Sequence, residues 1–557
     1  MKIMLTFKPT PEQEQITKTK HSALINAGPG TGKTRTAIEK ARDQILSMSD
    51  GPQKQVLFLS FSNAAIHRLT ADANIRFTKK EKKQVRFMTY HSCAVEILRV
   101  YGRFVGLPPR IRIMDTLEEK LVALERGWFE DYKNKLFLLA KEHGLLSFDT
   151  IIPLTVRLLS YSERLLKIIG RRYPLIIVDE FQDTSEDQWH LLCLIGQNSQ
   201  VVAFSDPNQI IYSSMHAATV KRLDEFKEWK RIKESEFSVV NFRCDRQEIL
   251  EFADSLLRGK PYKDKQNSQV QLFKLTYRDQ LRATFALIWK AIKDQVGSNK
   301  TIGFLTPSNR IAEEVAVALR NPPPSTKVSF PVYTYIARDE AAHDAVILAL
   351  AAVRDYAVAG ENRTCSKAAV ALLAMDLAWN SKKKMSSSKL KTLIKLLEEY
   401  RKGNSSKLVN FTAKSATICN LNSLIPEFVE ALTDIQEFKT SCKRISAHGR
   451  LGVERVEASD SQLLLFDNLR ANRRPKGLEG YDVGEGKTHV LNYHKAKGRE
   501  FDFVVMVVDP RGESNKTLLD EQRRLYYVCA TRAKEWLGVI YYSNDLGRVL
   551  GPVISPM

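Results

Sequence analysis

Ala27-Gly28-Pro29-Gly30-Thr31-Gly32-Lys33-Thr34 is the stretch that decides how this chain folds. The apolar run Ala23-Leu24-Ile25 before it suits the end of a buried strand, and Thr36-Ala37-Ile38-Glu39-Lys40-Ala41 after it suits a helix. A glycine-rich loop between strand and helix turns backbone N–H groups inward around an anion, and the helix N-terminus adds its positive dipole end. In such a loop Lys33 reaches the β- and γ-phosphates and Thr34 ligates Mg²⁺. Ala27 stands where the pattern ordinarily begins with Gly, a small change.

A second motif far downstream fits the first. Leu175-Ile176-Ile177-Val178 is an apolar strand ending in the carboxylates Asp179 and Glu180. Beside a phosphate loop, a strand-end Asp holds the metal shell, and a neighbouring Glu orients and deprotonates the attacking water. Either motif alone is a common local pattern. Together they point to nucleoside triphosphate hydrolysis.

The 557 residues are 43% hydrophobic and 27% charged, enough for roughly two to four domains with cores of their own. Lys and Arg number 85 against 64 Asp and Glu, a net charge of +21 that favours a polyanionic partner, nucleic acid first. Basic runs such as Lys79–Arg86 read either as solvated faces or as phosphate contacts. No uninterrupted apolar stretch approaches the roughly 18 residues of a membrane span, so no membrane partner is expected. The seven cysteines are scattered without a Cys-x-x-Cys pair, which indicates neither zinc nor an iron–sulfur cluster and fits a reducing, cytoplasmic setting.

Short all-apolar strands alternating with helices imply parallel sheets covered on both faces, an α/β class. A first core is expected over 1–92 and 173–268, interrupted by a helical insertion over 93–172. A second core is expected over 269–345 and 485–557, interrupted by a shorter helical insertion over 346–484. Its candidate strands are Val270–Leu275, Thr301–Thr306, Val328–Tyr335, His489–Tyr493, Phe503–Val508 and Leu537–Tyr541.

Asp179-Glu180-Phe181-Gln182-Asp183 resembles motif II of the UvrD/Rep/PcrA branch of superfamily 1 helicases. The other motifs follow in order. Thr10-Pro11-Glu12-Gln13 resembles the Q-motif, whose Gln13 is implied to read the adenine edge. The same residues also read as a helix capping box. Arg35 sits where the family places a basic residue near the base. Ser60–Ala65 resembles motif Ia and Thr89–Ser92 motif Ib, which implies that Phe61, Asn63 and His91 contact single-stranded DNA, the aromatics by stacking.

Asp206-Pro207-Asn208-Gln209-Ile210-Ile211-Tyr212 resembles motif III, with Gln209 sensing the γ-phosphate and Tyr212 facing DNA. The family continues with Gly-Trp-Arg-Gly-Ala, whereas Ser213-Ser214-Met215-His216-Ala217 follow here, without the stacking Trp and the Arg. Asn241-Phe242-Arg243 resembles motif IV, with Phe242 stacking on adenine and Arg243 meeting the γ-phosphate from across the cleft. His494-Lys495-Ala496-Lys497-Gly498-Arg499-Glu500-Phe501 resembles motif V, implying DNA contact by His494 and nucleotide contact by Gly498 and Glu500. Arg523–Ala533 resembles motif VI, with Arg532 as a second arginine finger.

The resemblance covers about 1–340 and 485–545 and implies two RecA-like motor cores. The nucleotide-binding set carried over is Gln13, Ala27, Gly28, Pro29, Gly30, Thr31, Gly32, Lys33, Thr34, Arg35, Phe242, Gly498 and Glu500. The implied cofactors are ATP and Mg²⁺, the latter on Thr34 and Asp179. The implied activity is ATP-driven movement on single-stranded DNA, 3′ to 5′, with unwinding of tailed duplex. Compact UvrD-like chains of this sort also resemble the helicase subunit of Gabija-type anti-phage systems, which partners a separate nuclease. The short Tyr542–Met557 tail after motif VI fits a chain without a fused nuclease. A DNA repair helicase is the other expectation.

Overall fold

The computed structural model describes residues 9–48, 54–60, 63–114, 119, 122, 131–211, 221–232, 234–236, 247–263, 268–276, 281–292, 300–320, 334–336, 488–509, 519–542 and 545–554. The expected second insertion, 346–484, lies outside these residues.

In the first sheet, β1 (Ala23–Asn26), β2 (Val56–Ser60), β3 (Val85–Thr89), β6 (Leu175–Asp179), β7 (Gln200–Ser205) and β8 (Glu234–Glu236) run in the order β3-β2-β6-β7-β1-β8, all parallel. Every residue of β2 and β6 is buried, as continuous apolar strands of a covered parallel sheet must be. Helices α1 (Pro11–Lys18), α2 (Lys33–Ser47) and α3 (Asn63–Arg76) belong to this core, where Ile16, Ala37, Ile38, Ala41 and Leu69 pack with Ile25, Phe58 and Ile177.

The parallel register sets Ser60 beside Asp179 and Asn26 beside Ser205. The C-terminal ends of β1, β2, β6 and β7 therefore form one edge, the place where open parallel sheets bind ligands. The Gly30–Gly32 loop, Asp179-Glu180 and Asp206 all leave from that edge.

The second sheet is also parallel, in the order β11-β12-β10-β13-β14-β9. Its strands are β9 (Val270–Leu275), β10 (Ile302–Thr306), β11 (Thr334–Ile336), β12 (Thr488–Asn492), β13 (Phe501–Val508) and β14 (Ala533–Tyr542). Strand β12 stops at Asn492, whose side chain accepts from Lys495 N and caps the short helix Tyr493–Ala496. Tyr493, read from sequence as strand, is thus the first residue of a helix.

The expected boundary at 268 is corrected. Helix Gln247–Arg258 packs in the second core, where Ile249, Phe252, Ala253 and Leu256 join Val270, Leu491, Val504 and Tyr526. The expected insertion over 93–172 is also narrower. The chain divides into two compact units, and residues 93–105 and 151–172 fall in the same unit as both sheets. Residues 106–150 belong to the second unit. There β4 (Arg112–Ile113) pairs with β5 (Leu145–Leu146), and Met114 packs on Leu136 and Leu139 of helix Tyr132–His143.

Gly303 of β10 lies under the Phe501 ring, and a Cβ there would sit 2.6 Å from Phe501 Cδ2. Gly303→Ala is therefore expected to destabilise by about 1–3 kcal/mol through overpacking, read as a lower thermal midpoint.

Candidate nucleotide site between the two cores

The loop after β1 takes its shape from two residues in the left-handed region, Gly30 (φ 78°) and Gly32 (φ 85°). Thr31 Oγ1 donates to Gly28 O (2.9 Å), closing the turn from within. Lys33 opens α2, donates to Ala27 O (2.8 Å) and lies 3.7 Å from Asp206 Oδ2. Thr34 follows it in the first turn. Gln13 shows one of its two sequence readings, the helix cap, and spends its amide N–H on the phosphate loop. It completes the capping box with Thr10, and its buried amide donates to Thr31 O (2.8 Å), bracing the phosphate loop. Arg35 lies half-buried one residue beyond Thr34.

Motif II is built on strain and packing. Glu180 sits at φ 53°, ψ 45°, a conformation that costs a non-glycine residue about 1–3 kcal/mol and persists only when its surroundings enforce it. Phe181 does the enforcing. It is fully buried and packs edge-on against Phe226 at 5.0 Å and Trp189 at 5.9 Å. Gln182 then clamps both sides of the site: Nε2 donates to Glu180 Oε2 (2.6 Å), and Oε1 accepts from Asp206 N (3.0 Å). Burial alone would raise the Glu180 pKa, but Lys33, Lys497, Arg68 and the Gln182 hydrogen bond outweigh it and hold this carboxyl well below the usual range. Asp179 goes the other way, raised by burial and by the Glu180 charge despite Arg68 and Lys33.

Four side-chain oxygens at the sheet edge are buried without a hydrogen-bond partner among the described residues: Asn26 Oδ1, Ser60 Oγ, Asp179 Oδ2 and Ser205 Oγ. Unsatisfied buried acceptors are uncommon and call for a ligand or solvent. Hard oxygen donors with a single carboxylate suit Mg²⁺, which takes one or two protein ligands and otherwise water and phosphate. Of the two expected metal ligands, Asp179 contributes such an oxygen, and Thr34 lies in the first turn of α2.

The second core meets this edge through motifs V and VI. Gln209 is the junction. Its Nε2 donates to Asp206 Oδ2 (2.7 Å), its Oε1 accepts from Arg532 Nη2 (3.1 Å), and its backbone O accepts from Lys497 Nζ (2.6 Å). Arg532 is buried and also bonded to Val528 O (2.9 Å) and Thr531 Oγ1 (3.2 Å). Glu500 lies 4.0 Å from Arg68 and 3.8 Å from Lys534. Gly498 takes φ 76°, which a side chain would strain.

Lys497 also pairs with Asp183 Oδ2 at 2.6 Å, with both side chains more than nine-tenths buried. Burial pushes the Asp183 carboxyl up to about 6, against the pull of Lys497. Lys497→Met leaves that carboxylate buried without a partner, a loss of about 3–5 kcal/mol. The sign with pH follows. An acid whose folded pKa is raised is favourable to the fold below its unfolded pKa, and that contribution is lost as pH rises through the folded value. Removing Lys497 raises the folded pKa further, so the deficit should be largest at pH 8 and shrink as pH falls towards 6. Thermal midpoints across that range measure it.

Of the nucleotide-site expectations, Phe242 and Arg243 lie outside the described residues. Of the DNA-facing ones, Phe61 and Tyr212 lie outside them too, as do Ser213–Ala217, and Asn63 is described only as the first residue of α3. His91 and His494 are half-buried, each in the first turn of a helix. Tyr90, the motif Ib aromatic, is no stacking platform. It is 1% exposed, with its hydroxyl 3.3 Å from Thr184 Oγ1. No described helix is long and apolar enough to cross a membrane.

Residues 9–138 and 125–229 match the UvrD/REP helicase N-terminal domain, and residues 487–540 match the UvrD-like helicase C-terminal domain. The chain is 23% identical to a probable DNA helicase II homolog of Mycoplasma capricolum, over 96% of this chain and 84% of the relative. It is 21% identical to the ATP-dependent DNA helicase PcrA of Leuconostoc citreum, over 97% of this chain and 82% of the relative. DNA helicase II of Haemophilus influenzae is 22% identical over 43% of this chain and 40% of its own length.

Proposed function

Because the chain is a UvrD/Rep/PcrA-like helicase, an ATP-dependent DNA helicase enzyme, we propose that it hydrolyses ATP between its two sheets to step 3′ to 5′ along single-stranded DNA and open duplex. The observation that carries this reading is the continuous path from Lys33 through Asp206 and Gln209 to Arg532. It spans both cores, so a nucleotide held at the loop is sensed by the opposite wall.

Lys33 and the loop N–H groups hold the phosphates, and Thr34 and Asp179 hold Mg²⁺, which supplies charge neutralisation there. Glu180, fixed by Gln182, orients the attacking water and takes its proton. Arg532 and Arg243 stabilise charge on the transferred phosphoryl from across the cleft. Since Arg532 belongs to the far wall, hydrolysis requires closure, and alternate closing and opening shifts the grip on DNA. His91, His494, Asn63, Phe61 and Tyr212 form the DNA path, and the net charge of +21 supports a polyanionic partner.

Unwinding of 3′-tailed, 5′-tailed and blunt duplexes by the isolated chain tests this. Opening of the 3′-tailed substrate alone is expected. A second reading rests on Ser214 and Met215 standing where the family has Trp and Arg. On it the chain is a DNA- or nucleotide-sensing ATPase subunit that activates a partner nuclease in anti-phage defence. DNA-stimulated ATPase without strand opening, together with co-purification of a nuclease, would favour that reading.

A further inference from the structure

None of the sequence motifs contains Arg68, yet its guanidinium lies in the cleft. It projects from α3 of the first core, and Nη1 donates to Gly498 O (3.1 Å) in the second. Nη1 is also 4.0 Å from Glu500 Oε1, and Nη2 is 3.6 Å from Asp179 Oδ2. Its Nε is buried without a hydrogen-bond partner among the described residues. A guanidinium carries five N–H donors in a rigid fork. Among the described residues this one makes a single hydrogen bond, to the opposite core, and sits in the field of four carboxylates, Asp179, Glu180, Glu500 and Asp72.

The contact with Asp179 is too long for a hydrogen bond. It balances charge without saturating the oxygen, which remains among the orphaned acceptors of the sheet edge. A second cation arriving at Asp179 meets Arg68 as a like charge at close range. Arg68 then keeps its two partners on the second core, Gly498 O and Glu500.

We infer that Arg68 is a positioning residue of the nucleotide site. It is a resident counter-cation that competes with Mg²⁺ for Asp179, and it couples metal loading to the placement of the Gly498–Glu500 segment. The inference rests on the reading of Asp179 as the metal carboxylate. It gives the first core a direct contact with the opposite wall beside the path through Gln209.

The test is a Mg²⁺ titration of fluorescent N-methylanthraniloyl-ADP binding to the full chain, which needs no turnover. Arg68→Gln keeps size and loses charge, so its Mg²⁺ midpoint is expected to fall roughly five- to tenfold, within the usual range of couplings between sites. Arg68→Lys keeps the charge and should stay near wild type. Hydrogen exchange at residues 498–501 should quicken in Arg68→Gln and not in Arg68→Lys. A midpoint that is unchanged or higher in Arg68→Gln overturns the inference. Asp179→Asn separates the two failures. If it weakens Mg²⁺ dependence while Arg68→Gln leaves the midpoint alone, only the role of Arg68 falls. If Asp179→Asn changes nothing, the metal reading and the inference fall together.

Discussion

Glu180→Gln is expected to lower ATP turnover by about 10³-fold, within the range of a lost general base, while nucleotide binding stays near wild type. The structural basis is specific. The Glu180 carboxylate is not part of the phosphate loop, and its single described hydrogen bond is accepted from Gln182. A glutamine oxygen can accept the same bond, so the left-handed turn at 180 and its Phe181 anchor should survive. What disappears is the negative charge that Lys33, Lys497 and Arg68 keep ionised. Phosphate release and analogue binding measured on one preparation check both halves. Full turnover in Glu180→Gln would sink the assignment.

Arg532→Ala is expected to cost about 10³-fold or more in turnover, the scale of a lost arginine finger. Arg532 Nε donates to Val528 O in its own motif, while Nη2 donates both to Thr531 Oγ1 beside it and to Gln209 Oε1 across the cleft. Those local bonds pre-set the guanidinium, so little ordering remains to be done when the cleft closes. Arg532→Lys should fail nearly as badly, because a point charge cannot keep the same bonds and also serve the phosphate. It is the better test of chemistry, since a lysine retains more of the packing at this buried position. Loss of turnover in Arg532→Lys with an unchanged thermal midpoint separates a catalytic role from a structural one.

The parts of this site legible in sequence are those whose meaning is local. The loop at 27–34 and the Asp179-Glu180 strand end each carry their context within ten residues or so, because strand, turn and helix signals are short-range. Arg68 carries no such signal, and Gln182 and Asp206, though they fall within motifs II and III, carry none for the bond between them. That bond and the reach of Arg68 to Gly498 join residues 24 and 430 apart, which meet only when β6, β7 and the second core assemble. The core to which helix Gln247–Arg258 belongs is hidden from sequence for the same reason. Its apolar face says that it is buried, not against which sheet, and much of its partner surface comes from 491–528. Strand β8 (Glu-Ser-Glu) has no apolar signature and is an edge strand among the described residues, paired with β1.

The central claim is that ATP hydrolysis between the two cores is coupled to a DNA path across them. The most direct test is the ATP turnover rate of the isolated chain with and without single-stranded DNA. The account predicts strong stimulation by DNA in the wild-type protein and none in Glu180→Gln. A wild-type rate that is indifferent to DNA would contradict it.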